Sequence, residues 1–138
     1  MKKYSILGVL VLIGSLAIGQ DSQKPAPAAK VDGPVLTLET STHDFGTITQ
    51  GDVVERVFKF TNTGNQPLII TNIQTSCGCT TPVWPRDPIM PGGSGEIKVG
   101  FNSAGKMNKQ TKTLPILSNS VKDASITFTT TVLSKQPQ

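Results

Sequence analysis

Residues 53–62 read Val53-Val54-Glu55-Arg56-Val57-Phe58-Lys59-Phe60-Thr61-Asn62. In an extended chain Phe58 and Phe60 share one face while Glu55 and Lys59 share the other, the period of a half-buried strand. The alternation returns downstream. Ile97, Val99 and Phe101 alternate with Glu96, Lys98 and Gly100, and Ile126, Phe128, Thr130 and Val132 alternate with Thr127, Thr129 and Thr131. Val35–Leu38, Leu68–Ile73 and Thr113–Leu117 add shorter β-prone runs, the last carrying Pro115 as a sign of an edge or a bulge. We read Leu68–Ile73 as apolar on both sides.

Turn signals separate these runs: Phe45-Gly46 through Gln50-Gly51-Asp52, Asn62-Thr63-Gly64-Asn65, Pro91-Gly92-Gly93-Ser94-Gly95 and Asn119-Ser120. Gly64 reads as a position for positive φ. No segment after the leader carries the i, i+3, i+4, i+7 pattern of an amphipathic helix. The pattern predicts an all-β chain, an antiparallel β-sandwich of about seven strands. Phe58, Phe60, Phe101 and Phe128 are its expected core, each contributing roughly 1.5–3 kcal/mol by burial. Trp84, between Pro82 and Pro85, is expected to cap one end.

The chain has 138 residues, 13 basic and 9 acidic, with 16% charged residues and 36% hydrophobic ones. That length accommodates one domain. It opens with Met1-Lys2-Lys3, an uncharged apolar run from Ile6 to Ile18, and the small-x-small series Ala17-Ile18-Gly19. This is the layout of a secretory signal peptide spanning residues 1–19, with cleavage predicted between Gly19 and Gln20. The run is shorter than the ~20 residues of a membrane-crossing helix, so no membrane span is expected in the mature chain. Gln20–Gly33, rich in Pro, Ala and Lys, predicts a flexible linker; residues 34–133 form the folded domain and 134–138 a disordered tail. The expected location is periplasmic or secreted.

Several function classes are disfavoured by the residues available. With Lys2 and Lys3 removed from the 13 basic residues, 11 face 9 acidic ones. Lys106, Lys109 and Lys112 form the only loose cluster, and it reads as a solvated loop or strand face. Nucleic-acid binding needs concentrated basic surface with aromatics free to stack, which is not seen. His43 is the sole imidazole, so a serine triad has one candidate base. Asp44 follows it directly and on a strand would point to the opposite face. His43 reads first as a polar strand or loop residue. Gly92-Gly93-Ser94-Gly95-Glu96 lacks the final glycine and following helix of a nucleophile elbow. We expect no catalytic residues and no enzyme activity.

Cys77-Gly78-Cys79 is the segment with visible chemistry. Two cysteines so close cannot form the inter-sheet bridge of an antibody-like domain. They can close a local disulfide, for which the loop-entropy relation gives only about 1.6 kcal/mol. They can hold a soft metal such as cuprous copper between two thiolates, with His43 as a further candidate ligand. They can be reduced core thiols, which suits an oxidising compartment poorly, or exchange disulfides with a partner, for which the usual motif is Cys-x-x-Cys at a helix start.

The ordered series His43-Asp44-Phe45-Gly46, Phe58-Lys59-Phe60-Thr61-Asn62-Thr63-Gly64, Pro67-Leu68-Ile69-Ile70, Ser76-Cys77-Gly78-Cys79-Thr80-Thr81-Pro82 and Pro91-Gly92-Gly93-Ser94-Gly95 resembles the domain of unknown function 1573 family, common in exported proteins of the Bacteroidetes. The resemblance covers about Leu36 to Leu133. It implies an immunoglobulin-like sandwich, export and a non-catalytic role, and marks Asp44, Gly46, Asn62, Gly64, Cys77, Gly78, Cys79, Pro91 and Gly92. The function expected is an exported binding or envelope-assembly module whose partner is another envelope or secreted protein. The alternative is a periplasmic copper-binding or thiol-redox accessory protein centred on Cys77 and Cys79.

Overall fold

The structure, a computed structural model, describes residues 31–137. The predicted leader, the Gly19–Gln20 cleavage point and most of the linker lie outside the described residues. Eight strands follow one another: β1 (Leu36–Leu38), β2 (Thr42–Thr49), β3 (Val53–Asn62), β4 (Ile70–Ile73), β5 (Thr80–Val83), β6 (Ser94–Asn102), β7 (Asn108–Ser118) and β8 (Ala124–Leu133). They form two four-stranded sheets, β1-β3-β6-β5 and β2-β8-β7-β4. All pairs are antiparallel except β2 with β8, which is parallel. The fold is a β-sandwich, as the alternation predicts.

The alternating residues meet between the sheets. Phe58, Phe60, Ile97, Val99 and Phe101 come from one sheet, and Leu114, Ile116, Ile126, Phe128 and Val132 from the other; all are buried. The Phe101 and Phe128 rings sit 5.3 Å apart, tilted, and join the layers. Only one side of Leu68–Ile73 is covered: Leu68, Ile70 and Ile73 are buried while Ile69 is exposed. Trp84 is half-buried against the core, with the Arg86 guanidinium 4.1 Å from its ring centre.

Two strands occupy segments that the sequence reading does not assign to strands. The stretch from Phe45-Gly46 toward Gln50 is most of β2, and Thr80–Val83 is β5. In β2 a bulge lies between Asp44 and Thr47, where Gly46 takes φ 72°. The extra residue shifts the inward phase, so Phe45 and Ile48 both reach the core and strict alternation is lost. In β5, Pro82 hides the strand signal. The Asn102 N–H bonds to the Cys79 carbonyl, which sets the odd-numbered residues of β5 toward β6 and Pro82's nitrogen toward solvent.

At the N-terminal boundary, Asp32 and Gly33 are tied to Asn65: the Gly33 N–H donates to its Oδ1 (2.7 Å), and its Nδ2 donates to Asp32 Oδ1 (3.1 Å). After Leu133, residues 134–137 carry no secondary structure and are exposed.

Candidate functional site

Most motif residues prove to build the sandwich. Asp44 accepts the Gly46 N–H at 2.8 Å, and the buried Thr130 hydroxyl donates to the Gly46 carbonyl at 2.9 Å. These bonds hold the β2 bulge and seat Phe45 against Phe128, ring centres 5.4 Å apart. The carboxylate beside His43 is therefore spent on backbone.

Asn62 has no exposed surface. Its Oδ1 accepts N–H groups from Val35 (3.2 Å) and Gly64 (3.0 Å), while its Nδ2 donates to the carbonyls of Gln66 (2.7 Å) and Ile89 (2.8 Å). One side chain thus joins the approach to β1, the β3–β4 turn and the segment before β6, and its amide is fully satisfied. Gly92 takes φ 78° and donates its N–H to the Asn62 carbonyl (2.8 Å), so Pro91-Gly92 closes the same knot. Gly64 is not in the left-handed region. It is required because a Cβ there would strike the Gly33 carbonyl and stand 2.6 Å from Val35 N. Close backbone approach, not positive φ, explains it.

Cys77 and Cys79 lie in the loop from β4 to β5, which carries the chain from one sheet to the other. Their sulfurs lie at bonding distance, with Cα atoms 5.3 Å apart. Both residues are half-buried; Cys79 leans on the core and its carbonyl accepts the Asn102 N–H at 2.8 Å. The Thr80 hydroxyl lies 4.0 Å from Cys77 Sγ and 3.9 Å from Cys79 Sγ. Gly78 between them is exposed, has no positive φ, and a Cβ there would meet nothing within 4 Å. The folded backbone makes no demand for glycine at that place.

His43 is remote from the pair in the topology. It lies on β2, at one edge of its sheet, whereas the cysteine loop joins β4 and β5 at the far edges of the two sheets. Its ring meets the edges of Phe45 and Phe58, with centroids 4.7 and 6.5 Å away. Burial, then the positive charge of Arg56, hold its pKa below 6.5, with Asp44 acting in the opposite direction. Among the described residues no three His, Cys, Asp or Glu side chains gather in a metal-binding group. Any metal chemistry at Cys77 and Cys79 starts from two sulfurs without the imidazole. The lysines are spread as expected: Lys106 lies in a turn and Lys109 and Lys112 on β7. No helix among the described residues is long and apolar enough to cross a membrane.

Residues 36–132 match the family described as protein of unknown function (DUF1573). No curated protein matches the sequence. Among solved structures, a protein of unknown function from Porphyromonas gingivalis W83 superposes with TM-score 0.62 at 22% identity, over 79% of this chain and 51% of that one. The ASH/PapD-like domain 7 of human CEP192 gives TM-score 0.63 at 8% identity, over 97% of this chain and all (100%) of the domain. The Vibrio cholerae protease VesB gives TM-score 0.59 at 15% identity, but over 70% of this chain and only 31% of the protease. This chain thus spans about half of the first and a third of the last. At these identities the likeness is one of fold, and the fold is immunoglobulin-like.

Proposed function

The chain belongs to the DUF1573 family, and from that premise we propose that it is an exported, non-catalytic β-sandwich module that binds another secreted or envelope protein, in the periplasm or outside the cell. One observation carries the reading. Asp44, Gly46, Asn62, Gly64 and Gly92 are consumed in holding the backbone, so the motifs describe a scaffold whose available surface is its sheet faces and edges. The outer face of β2-β8-β7 is paved with hydroxyls in register: Thr42 beside Thr127 beside Thr113, and Thr129 beside Thr111. Such polar faces and open edges suit protein contact. Export rests on the leader read from residues 1–19.

Affinity capture from the cell's own envelope fraction tests this, with the double variant Cys77→Ser/Cys79→Ser alongside. A protein retained in equimolar amount by both forms supports the module reading and removes the sulfurs from it. Recovery of the chain only from the cytosol, with residues 1–19 intact, refutes export.

A second reading attaches to Cys77-Gly78-Cys79, the motif element that the fold does not consume. Adjacent sulfurs beside an unobstructed Gly78 suit thiol exchange or a cuprous ion held by two sulfurs. Thiol and copper counts on protein taken directly from the periplasm separate it from the first. Stoichiometric copper lost in the double variant favours the second reading.

A further inference from the structure

β1 pairs with only the last residues of β3: Leu36 lies opposite Asn62 and Leu38 opposite Phe60, with a final bond from Glu39 N–H to the Lys59 carbonyl. The chain then crosses to the other sheet as β2. From Val53 to Phe58 the outer edge of β3 has no neighbouring strand among the described residues. The Glu39–Lys59 bond fixes the phase, so the N–H and C=O groups of Val53, Glu55 and Val57 point out of the sheet. An open groove of about 550 Å³ lies there, lined by Glu39, Thr40 and the run Glu55–Lys59.

The core is unfinished on the same flank. Leu38, Phe45, Ile48 and Val54, from β1, β2 and β3, pack on it but remain partly exposed. Arg56 pairs with the buried Val99 and so stands on the inward face, between Val54 and Phe58, close enough for its charge to lower the pKa of His43 on β2. Glu55 is on the outward face, bound to Lys98 at 2.9 Å. Along the groove Glu39 and Glu55 balance Arg56 and Lys59, and Arg56, although exposed, is the charge that stands on the inward side.

The remaining edges are less receptive. β5 turns the proline nitrogen of Pro82 outward, β4 is four residues long with a register shift, and β2 is bulged at Asp44–Thr47. The open half of β3 has no proline and no bulge. Its safeguard is Arg56, an inward charge that rejects a strand unable to neutralise it.

We propose that the edge Val53–Phe58 accepts an extended segment of the partner protein as an added strand, with apolar side chains entering beside Val54 and Phe58 and a carboxylate facing Arg56. This rests on the protein-binding reading and names its site. A second copy paired about Arg56 or Glu55 opposes like charges, whereas registers centred on Val54 or Val57 do not; protection of Glu55 and Val57 in a dimer without peptide therefore overturns the partner-strand reading. The chain's own Lys24-Pro25-Ala26-Pro27-Ala28-Ala29-Lys30 lacks N–H groups at two positions and brings charge of the wrong sign.

The test uses the chain purified from cell envelopes and the blocked pentapeptide acetyl-Val-Thr-Asp-Thr-Val-amide, whose valines and aspartate share one face of a strand. Amide hydrogen exchange is followed residue by residue. Without peptide, Glu55 and Val57 exchange fast while Val54 and Arg56, bonded to β6, exchange slowly. With peptide, Glu55 and Val57 become protected. A peptide with lysine in place of aspartate binds about tenfold more weakly, and Arg56→Glu reverses that order, a readout that a purely structural arginine does not produce. Val57→Pro removes an outward donor and abolishes protection at Glu55; circular dichroism checks that this variant folds. Protection on β2 or β5 instead, no protection at about 1 mM peptide, or an unchanged peptide preference in Arg56→Glu overturns the site. A natural partner still captured by folded Val57→Pro also overturns it while leaving the protein-binding reading intact.

Discussion

The Asn62 side chain reaches Ile89 across 27 residues of sequence, donating to its carbonyl at 2.8 Å from a position without solvent exposure. With its bonds to Val35, Gly64 and Gln66, this makes the amide a junction of three loops at one end of the sandwich. No isosteric apolar side chain can replace it, because each partner is backbone and would be left unpaired.

Asn62→Leu is therefore expected to destabilise by about 3 kcal/mol or more, or to prevent folding, since leaving buried backbone groups unsatisfied costs about 1–3 kcal/mol each. Asn62→Asp keeps the acceptor but sets a buried carboxylate oxygen against the Gln66 and Ile89 carbonyls, and is expected to cost at least as much. Urea midpoints for the three proteins check the order.

Glycine substitutions are expected to separate sharply. Gly64→Ala drives a methyl group into the Gly33 carbonyl and lowers stability by about 2 kcal/mol or more. Gly78→Ala meets nothing and changes stability by less than about 0.5 kcal/mol. Thermal melts of both variants, side by side, decide it.

Three of the strands were plain from the chain itself. β3, β6 and β8 alternate cleanly because each is buried on one side. β2 and β5 were obscured by the devices that make them edges, a left-handed Gly46 and an outward Pro82. The cysteine pair and the marked asparagine were visible, yet the role of Asn62 depends on Ile89 and Val35, distant in sequence, and no local pattern announces such partners. Arg56 did leave a trace: it shares the strand parity of Val54, Phe58 and Phe60, a charge where an apolar residue was due. Only the early departure of β1 shows why it is tolerated.

His43 has its pKa lowered below 6.5 by burial and by Arg56. The unfolded chain therefore binds a proton more readily than the native one, and the neutral ring's contribution is complete above 6.5 and lost as pH falls below it, until the native pKa is also passed. Wild type is expected to lose more thermal stability than His43→Phe between about pH 7.5 and pH 5. Equal losses contradict this.

Opening the Cys77–Cys79 link is expected to cost little. The ring spans a sequence separation of 2, for which loop entropy allows about 1.6 kcal/mol. Cys77→Ser/Cys79→Ser should fold, with a modestly lower melting temperature than the untreated protein. A loss above about 3 kcal/mol in urea titration makes the pair a structural staple after all.

The parallel pairing of β2 with β8 sets His43 beside Phe128. The last strand is also flanked by β7, so it occupies an interior place in its sheet. A newly made chain delivered amino end first has no seat for β2 until its final strand arrives. The sheet β2-β8-β7-β4 is thus the last to close, whereas every strand of β1-β3-β6-β5 has been made by Asn102.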